Sequence, residues 1–294
     1  MKLLVRHQTV YRYEATAGRV AMRLKLMPVD SAAQTVIDWR VSINDQPVTD
    51  FTRNAHGEME AIWIRHDRQD EAVIVAEGLV ETRETHGVLG WPATRVDPRY
   101  FLRSTPLTAA SPAIEQMALA IDPDIGALAR LHALSAAISD SVTYRAGVTG
   151  ANTTAAEAFA VGAGVCQDQA QIFIAGARVM GIPARYVSGY LLAQEGDVLH
   201  ETHGWAEALV PGLGWVGFDP SNRVCVTDHY LRVASGLDAD QAAPVRGSVT
   251  LAGNIWIDAD VRIAQAEDGV EERQLQRQQQ QNMSSSAGNL NKAG

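Results

Sequence analysis

The sequence predicts an α+β fold, in which an N-terminal antiparallel β-sandwich precedes a region of helices and further strands. Three observations support this expectation. Apolar and polar residues alternate in the first part of the chain, helical periodicity replaces that alternation after residue 111, and short strands return after residue 183. At 294 residues the chain is also long enough for two domains.

Alternating side chains identify the N-terminal strands. In LLVRHQTVYRYE the more apolar face carries Leu3, Val5, Tyr11 and Tyr13. RVAMRLKLMP and QTVIDWRVSIN alternate in the same way, and EMEAIWIR and EAVIVAEGLVET are further candidates. Gly, Pro, Asn and Asp separate these segments, as turns require. Several short strands with turns between them are typical of a β-sandwich, which we assign to residues 1–105.

Capping signals mark the helices that follow. Ser111 and the proline after it predict a helix start, since serine caps helix N-termini and proline fits the first turn. IGALARLHALSAAISDSV has the periodicity of a second helix. Thr154 and Glu157 have capping-box spacing and predict a third. A fourth helix is expected to begin near Cys166 and to end at the Gly-Ile-Pro run.

Short strands return in the C-terminal half. ARYVSGYLLA, GWAEALV and GWVGFDP read as strands, and PGLG between the last two predicts a hairpin turn. One more strand region, SVTLAGNIWIDADVRIAQ, follows. Residues 263–294 are rich in Gln, Ser and Asn, and we expect them to form a flexible polar tail because they lack the apolar residues of a core.

Composition argues against several functional classes. The net charge is −9 and no long basic run is present, which disfavours nucleic-acid binding. The apolar run at the N-terminus is too short for a signal peptide, and no stretch of about 18 apolar residues predicts a membrane span. Only two cysteines are present, which fits a reducing compartment but leaves one long-range disulfide open. We expect a cytoplasmic protein that binds neither nucleic acid nor membrane, and make no prediction of its oligomeric state.

Cys166 lies where a helix start would activate a thiol. The unpaired N–H groups and partial positive charge of a helix N-terminus favour the reactive thiolate and can stabilise an oxyanion. Glycines at positions 162 and 164 would let a substrate approach the backbone. The other interpretation of Cys166 is a small buried side chain, and its immediate surroundings leave both interpretations open.

His203 and Asp219 are candidates for the base that a cysteine nucleophile needs and for the group that orients this base. The predicted hairpin brings their strand ends together. Counting residues from the turn leaves them about three residues out of line, so a bulge or a diagonal contact would be needed. A packed histidine and a turn-forming aspartate are the alternative interpretation.

The segments around these residues resemble those of the bacterial transglutaminase-like superfamily. GVCQDQAQIFIAGARVMGIPARYVSGYL is similar to its nucleophile segment, and THGWAEALVPGLGWVGFDPSN is similar to its His and Asp segments, in the same order along the chain. The N-terminal strands resemble the β domain that precedes the catalytic domain in many bacterial members. DHYLRVASGLDADQAAPVRG resembles the C-terminal extension, so the resemblance spans residues 1–262.

This resemblance implies a transglutaminase-like cysteine protease with a papain-like catalytic domain and a C-terminal strand extension over residues 106–262. In it, Cys166 is the nucleophile, His203 the general base and acid, and Asp219 the residue that orients the imidazole. The substrate is a peptide or protein amide, and no metal or organic cofactor is needed. Hydrolysis is expected ahead of isopeptide formation by a true transglutaminase, because a cytoplasmic cross-linker would threaten its own cell. A catalytically silent binding module is the third possibility.

Three further residues are candidates for roles around the nucleophile. Asp168 belongs to the matched motif and would shape the helix start, Tyr144 would donate a hydrogen bond to an oxyanion, and the role of Gln167 is open. The chain departs from the family pattern at Gly204, directly after the histidine, and at Gln169. These departures bear on substrate specificity rather than on the chemistry.

The tetrapeptide HETH, residues 200–203, invites comparison with the metalloprotease motif H-E-x-x-H. Its two histidines are one residue too close together, and the setting is a predicted strand or loop, whereas that motif needs a helix. We therefore expect no metal site.

Overall fold

The computed structural model describes residues 1–91, 96–192, 202–250 and 253–266. The strands are β1 (Lys2–Ala17), β2 (Arg19–Met27), β3 (Gln34–Ile43), β4 (Gln46–Pro47), β5 (Thr52–Arg53), β6 (Met59–Arg65), β7 (Gln69–Thr82), β8 (Val88–Gly90), β9 (Thr143–Tyr144), β10 (Ala163–Gly164), β11 (Ala184–Leu191), β12 (His203–Val210), β13 (Gly214–Asp219), β14 (Val224–Cys225), β15 (Tyr230–Gly236), β16 (Val245–Thr250) and β17 (Ile255–Gln265). The α-helices are α1 (Pro112–Leu119), α2 (Ala127–Ser141), α3 (Ala155–Val161) and α4 (Cys166–Val179), and short 3₁₀ helices cover Pro98–Leu102, Pro106–Thr108 and Pro123–Ile125.

Two antiparallel sheets form the N-terminal part. One has the strand order β17-β1-β7-β3-β4 and the other the order β16-β2-β6-β5. Alternation predicted their inner faces correctly, since Leu3, Val5, Val20 and Met22 are buried. Both sheets contribute to one apolar core, made of Tyr13, Ala17, Val20, Met22, Leu24, Leu26, Val41, Ile43, Ala61, Ala72, Ile74 and Ala76.

The last two strands return to these N-terminal sheets. β16 pairs with β2, and β17 pairs with β1 from Leu3↔Gln265 to Tyr13↔Ile255. The sequence had grouped this region with the catalytic domain, because no local pattern reports a partner more than 200 residues away. β17 also extends to Gln265, beyond the expected start of the polar tail at residue 263. The remaining tail residues, 267–294, lie outside the described residues.

A third sheet, with the order β14-β13-β12-β11-β15 and with β8 on β13, carries the helices. Helix α4 packs against β11 and β12, and α1, α2 and α3 surround its other sides. The predicted caps are present: Ser111 accepts a hydrogen bond from the Ile114 N–H, and Thr154 and Glu157 form a capping box. The hairpin predicted at PGLG joins β12 to β13. Within the described ranges, no helix is long and apolar enough to cross a membrane.

Buried charged side chains join the N-terminal sheets to the third sheet. Glu58, which is 1% exposed, accepts a hydrogen bond from Arg232 at 3.2 Å and lies 3.4 Å from the Lys25 ammonium. Arg232 also donates to Glu207 at 3.0 Å, and Glu207 pairs with Arg185 at 2.6 Å. Removing one charge from such a cluster leaves its partners uncompensated in a region that excludes water.

We expect Glu58→Gln to lower the free energy of unfolding by about 3–5 kcal/mol, because Lys25 and Arg232 lose their shared carboxylate. Urea unfolding followed by circular dichroism measures this change. Glu71→Gln is the matched control, since Glu71 is exposed on β7 and its replacement should change stability by less than about 0.5 kcal/mol. Equal small effects of the two substitutions would show that the buried cluster does not hold the sheets together.

Candidate active site

Three elements end at one cleft. Cys166 is the first residue of α4, His203 the first residue of β12, and Asp219 the last residue of β13. Because α4 packs on β12, and β12 pairs with β13, these three termini meet at one end of the third sheet. Cys166 and His203 line a cleft of about 530 Å³, whose far wall includes Ala259 of the C-terminal strand β17.

His203 and Asp219 meet diagonally across two strands. The pairing Ala206↔Phe218 sets Asp219 opposite Trp205, two residues from His203 and on the same face of the sheet. The strand pair has no register shift, so the contact needs no bulge, and the offset is two residues instead of the three expected from the sequence. The imidazole Nε2 lies 2.7 Å from the Asp219 Oδ2. This geometry leaves Nδ1 as the ring nitrogen available to the cleft.

The Asp219 carboxylate is 1% exposed and densely hydrogen-bonded. Its Oδ1 accepts from the N–H and hydroxyl of Ser221, at 3.0 and 2.6 Å. Its Oδ2 accepts from the Asn222 amide at 2.7 Å and from the Tyr230 hydroxyl at 2.8 Å, besides His203. Burial acts to raise the pKa of Asp219, but the bonds and charge of His203, with those of Ser221 and Asn222, outweigh it and lower this pKa to about 2.

The residues that hold Asp219 were not predicted from the sequence. Ser221 and Asn222 belong to the DPSN run at the end of the hairpin. This run is a sequence signal from which hydrogen bonds to the Asp219 carboxylate could have been expected. Tyr230 lies on β15, which pairs with β11 and not with β13. No local sequence pattern predicts that Tyr230 contacts Asp219.

His203 is held between Asp219 and Cys166. Burial acts to lower its pKa, but hydrogen bonds with Asp219 and Cys166 and their negative charge prevail and raise it to about 10. The imidazole also stacks on Trp205, with ring centroids 6.2 Å apart and planes 26° apart. Trp205 in turn contacts the Tyr230 ring edge to face at 5.4 Å. The ring orientation is therefore fixed by packing as well as by hydrogen bonds, and the imidazole is protonated at neutral pH.

Asp168 shapes the start of α4, as its position in the motif suggested. Its carboxylate accepts from the Val165 N–H and from the Thr149 hydroxyl, both at 2.7 Å, and is 1% exposed. A Cβ added to Gly164 would lie 2.6 Å from this carboxylate. Gly164 therefore makes room for Asp168, and the approach of a substrate to its backbone stays a prediction. Gly162 ends α3 with a φ of 67°, a conformation that favours glycine.

The two other candidate residues line the cleft. Tyr144 lies on β9, is 55% exposed, and stands at the rim. Gln167 follows Cys166, and its side-chain amide donates to the Ala151 carbonyl at 3.2 Å. A contact of either residue with a substrate stays a prediction. A second tyrosine, Tyr186 of β11, also lines the cleft and was not expected from the sequence.

Cys225 has a different environment from Cys166. Both cysteines are free, so the long-range disulfide left open by the sequence is not formed. Cys225 is half-buried on β14, in a pocket shared with His132 and Phe218, and burial raises the pKa of its thiol. Of the HETH run, His203 is in the site, whereas His200 and Glu201 fall outside the described residues.

Known proteins are similar to this chain over most of its length. Residues 115–220 match the sequence model of the transglutaminase-like superfamily, and residues 3–81 match that of the bacterial transglutaminase-like N-terminal region. An uncharacterized protein of Mycobacterium leprae is 28% identical over 277 residues, which cover 89% of this chain and 98% of that protein. An uncharacterized protein of Mycobacterium tuberculosis is 28% identical over 286 residues, covering 88% of this chain and 91% of that protein.

A solved structure shares the fold. The crystal structure described as a "putative cysteine protease" from Cytophaga hutchinsonii superposes with a TM-score of 0.71 at 21% identity, covering 91% of each chain. The two sequence matches lie on either side of the boundary between the N-terminal sheets and the helices, and the likeness in fold extends across both parts. The chain therefore belongs to the transglutaminase-like superfamily and carries the bacterial type of N-terminal region.

Proposed function

We propose that this protein is a cysteine peptidase or amidase that hydrolyses an amide bond through a thioester acyl-enzyme. The observation that carries the proposal is the 2.7 Å contact of His203 with Asp219 in a cleft that Cys166 shares. Cys166 is the nucleophile, His203 the proton carrier and Asp219 its orienting partner. The substrate in this proposal is a peptide or protein amide, part of which a cleft of about 530 Å³ can admit.

In the acylation step, the Cys166 Sγ attacks the carbonyl carbon as a thiolate. The S–C bond forms and the carbonyl π pair moves to the oxygen, which gives a tetrahedral oxyanion. As the oxyanion collapses, the C–N bond breaks and protonated His203 gives its proton to the leaving amine. The products are a thioester on Cys166 and a neutral imidazole, whose orientation Asp219 maintains.

In the deacylation step, water attacks the thioester and gives a proton to His203. Collapse of the second oxyanion breaks the S–C bond, releases the carboxylic acid and restores the thiolate beside protonated His203. The same residues serve a transglutaminase, in which a lysine amine replaces water. The two activities differ only in the molecule that resolves the thioester.

A screen of peptide amides with and without a fluorescent primary amine tests the proposal. We expect release of the free acid, little covalent incorporation of the amine, and no reaction with the Cys166→Ala variant. Dominant incorporation of the amine would instead establish the transglutaminase. Absence of both products across the screen, with the same low thiol reactivity at Cys166 and Cys225, would establish a silent binding module.

The domain division and location belong to the same proposal. Residues 1–105 form a β-sandwich domain, an assignment supported by the apolar core that both N-terminal sheets share. Residues 106–262 form the catalytic domain in this division, except that β16 and β17 pair with strands of the sandwich and belong to its two sheets. The site of action is the cytoplasm, which cell fractionation with an antibody to the chain tests directly.

A further inference from the structure

A second tyrosine places its phenol beside the candidate nucleophile. Tyr186 lies on β11, is 5% exposed, and lines the same cleft as Cys166 and His203. Its neighbour Arg185 points to the opposite face of the sheet, where it pairs with Glu207. Strand alternation therefore directs Tyr186 towards α4 and the cleft.

The Tyr186 hydroxyl is held as a hydrogen-bond donor. Burial raises the pKa of Tyr186, and the negative charges of Cys166, Asp168 and Asp219 raise it further, well above its ordinary value. The phenol therefore keeps its proton over the whole working range of pH. The interaction with Cys166 is through space, with no hydrogen bond between the two side chains.

The glycine after His203 makes room for this hydroxyl. A Cβ added to Gly204 would lie 1.8 Å from the Tyr186 Oη and 2.6 Å from its Cζ. No real Cβ atom approaches another atom so closely, so any other residue at position 204 would displace the phenol. Gly204 therefore leaves free the space beside His203 that the hydroxyl occupies.

The hydroxyl has no competing role among the described residues. The hydroxyl groups of two other buried tyrosines form hydrogen bonds: that of Tyr190 with the His7 Nδ1 at 2.9 Å, and that of Tyr230 with Asp219. Within residues 1–91, 96–192, 202–250 and 253–266, no group forms a hydrogen bond with the Tyr186 Oη. This oxygen is not fully enclosed by protein and the residue lines the cleft, so a substrate bound there can accept the hydrogen bond.

We propose that Tyr186 is a catalytic residue whose hydroxyl donates a hydrogen bond to the substrate carbonyl oxygen as Cys166 attacks the carbonyl carbon. When the S–C bond forms, the π pair moves to that oxygen, which accepts the bond while Tyr186 keeps its proton. On collapse the pair returns and the C–N bond breaks, with the proton supplied by His203. This inference rests on the proposed acyl-transfer function and adds the donor that stabilises its oxyanion.

Two reactions of Cys166 separate this role from a general effect on the thiol. Acylation by p-nitrophenyl acetate passes through an oxyanion, whereas alkylation by iodoacetamide displaces iodide at a saturated carbon and forms none. We expect Tyr186→Phe to slow acylation by about 10²- to 10³-fold, the usual effect of losing one oxyanion donor. Alkylation of Cys166 should stay within about twofold of wild type, because removing the hydroxyl leaves His203 and Asp219 in place.

Tyr190→Phe is the matched control, because it removes a phenol from the same strand at a site bonded to His7. It should leave both rates within about twofold of wild type, and thermal unfolding checks that both variants fold. Acylation by Tyr186→Phe within about threefold of wild type, or equal losses in the two reactions, would overturn the inference. Failure of wild type itself to acylate Cys166 would overturn the proposed function together with it.

Discussion

Replacing Cys166 with alanine is expected to abolish acyl transfer, with a loss of about 10⁶-fold in kcat. The residual rate would reflect substrate binding alone, since His203 and Asp219 have no other nucleophile to activate. Stability should change little, because Cys166 is only half-buried and lines an open cleft. Initial rates on an activated peptide ester, with circular dichroism as a check of folding, measure the effect.

Cys225→Ala is the control for this experiment. Cys225 is also half-buried, but it lies in a different pocket, and burial raises the pKa of its thiol. We expect the Cys225 variant to keep full activity and to keep the fast reaction of wild type with a thiol reagent. The assignment of the nucleophile fails if activity survives in Cys166→Ala, or if it is lost in Cys225→Ala while the fold persists.

Asp219→Asn is expected to lower kcat by about 10⁴-fold, although it alters few atoms. The Asp219 Oδ2 accepts hydrogen bonds from three donors: His203, Asn222 and Tyr230. An asparagine amide has only one acceptor oxygen, so it turns an NH₂ group towards some of these donors. His203 then loses the partner that fixes its ring orientation and its proton.

The same variant should shift the pH profile. His203 has a pKa raised to about 10, so wild type keeps its proton donor at neutral pH and loses it as the pH rises through that value. Removing the negative charge of Asp219 removes a cause of this increase. The alkaline limb of kcat/KM is therefore expected at lower pH in Asp219→Asn than in wild type.

Asp140→Asn provides the matched control, since Asp140 is an exposed carboxylate paired with Arg223. It should leave both kcat and the alkaline limb unchanged, because exposed ion pairs are weak and this one lies outside the cleft. An unchanged alkaline limb in Asp219→Asn would contradict the role of Asp219 as the partner of a protonated His203.

Local patterns predicted the elements that local physics determines. Alternation identified the inner face of β1, Ser111 and Thr154 marked two helix starts, and PGLG marked the hairpin that brings His203 to Asp219. The pairing of β17 with β1 was not predictable in this way. It depends on which sheet edge is free after the rest of the chain has folded, and no short segment carries that information.

The residues of the candidate site also differ in whether local sequence patterns predict them. Cys166, His203 and Asp219 were predicted as the site because each combines a reactive residue type with a position at the end of an element, and because their segments resemble a family. Tyr186 and Tyr230 were missed, since a tyrosine in a strand usually serves packing. Only contacts across the sheet draw attention to them. The Tyr186 hydroxyl fills the space where a side chain at Gly204 would lie, and the Tyr230 hydroxyl donates to Asp219 at 2.8 Å.

The central claim is that Cys166 carries the acyl group before water removes it. The most direct measurement is peptide mapping by mass spectrometry of the chain quenched in acid during turnover of an activated peptide ester. We expect one acyl group on the peptide that contains Cys166, released by hydroxylamine as thioesters are, and none on Cys225. Turnover without an acyl group on Cys166, or with the acyl group on another residue, would contradict it.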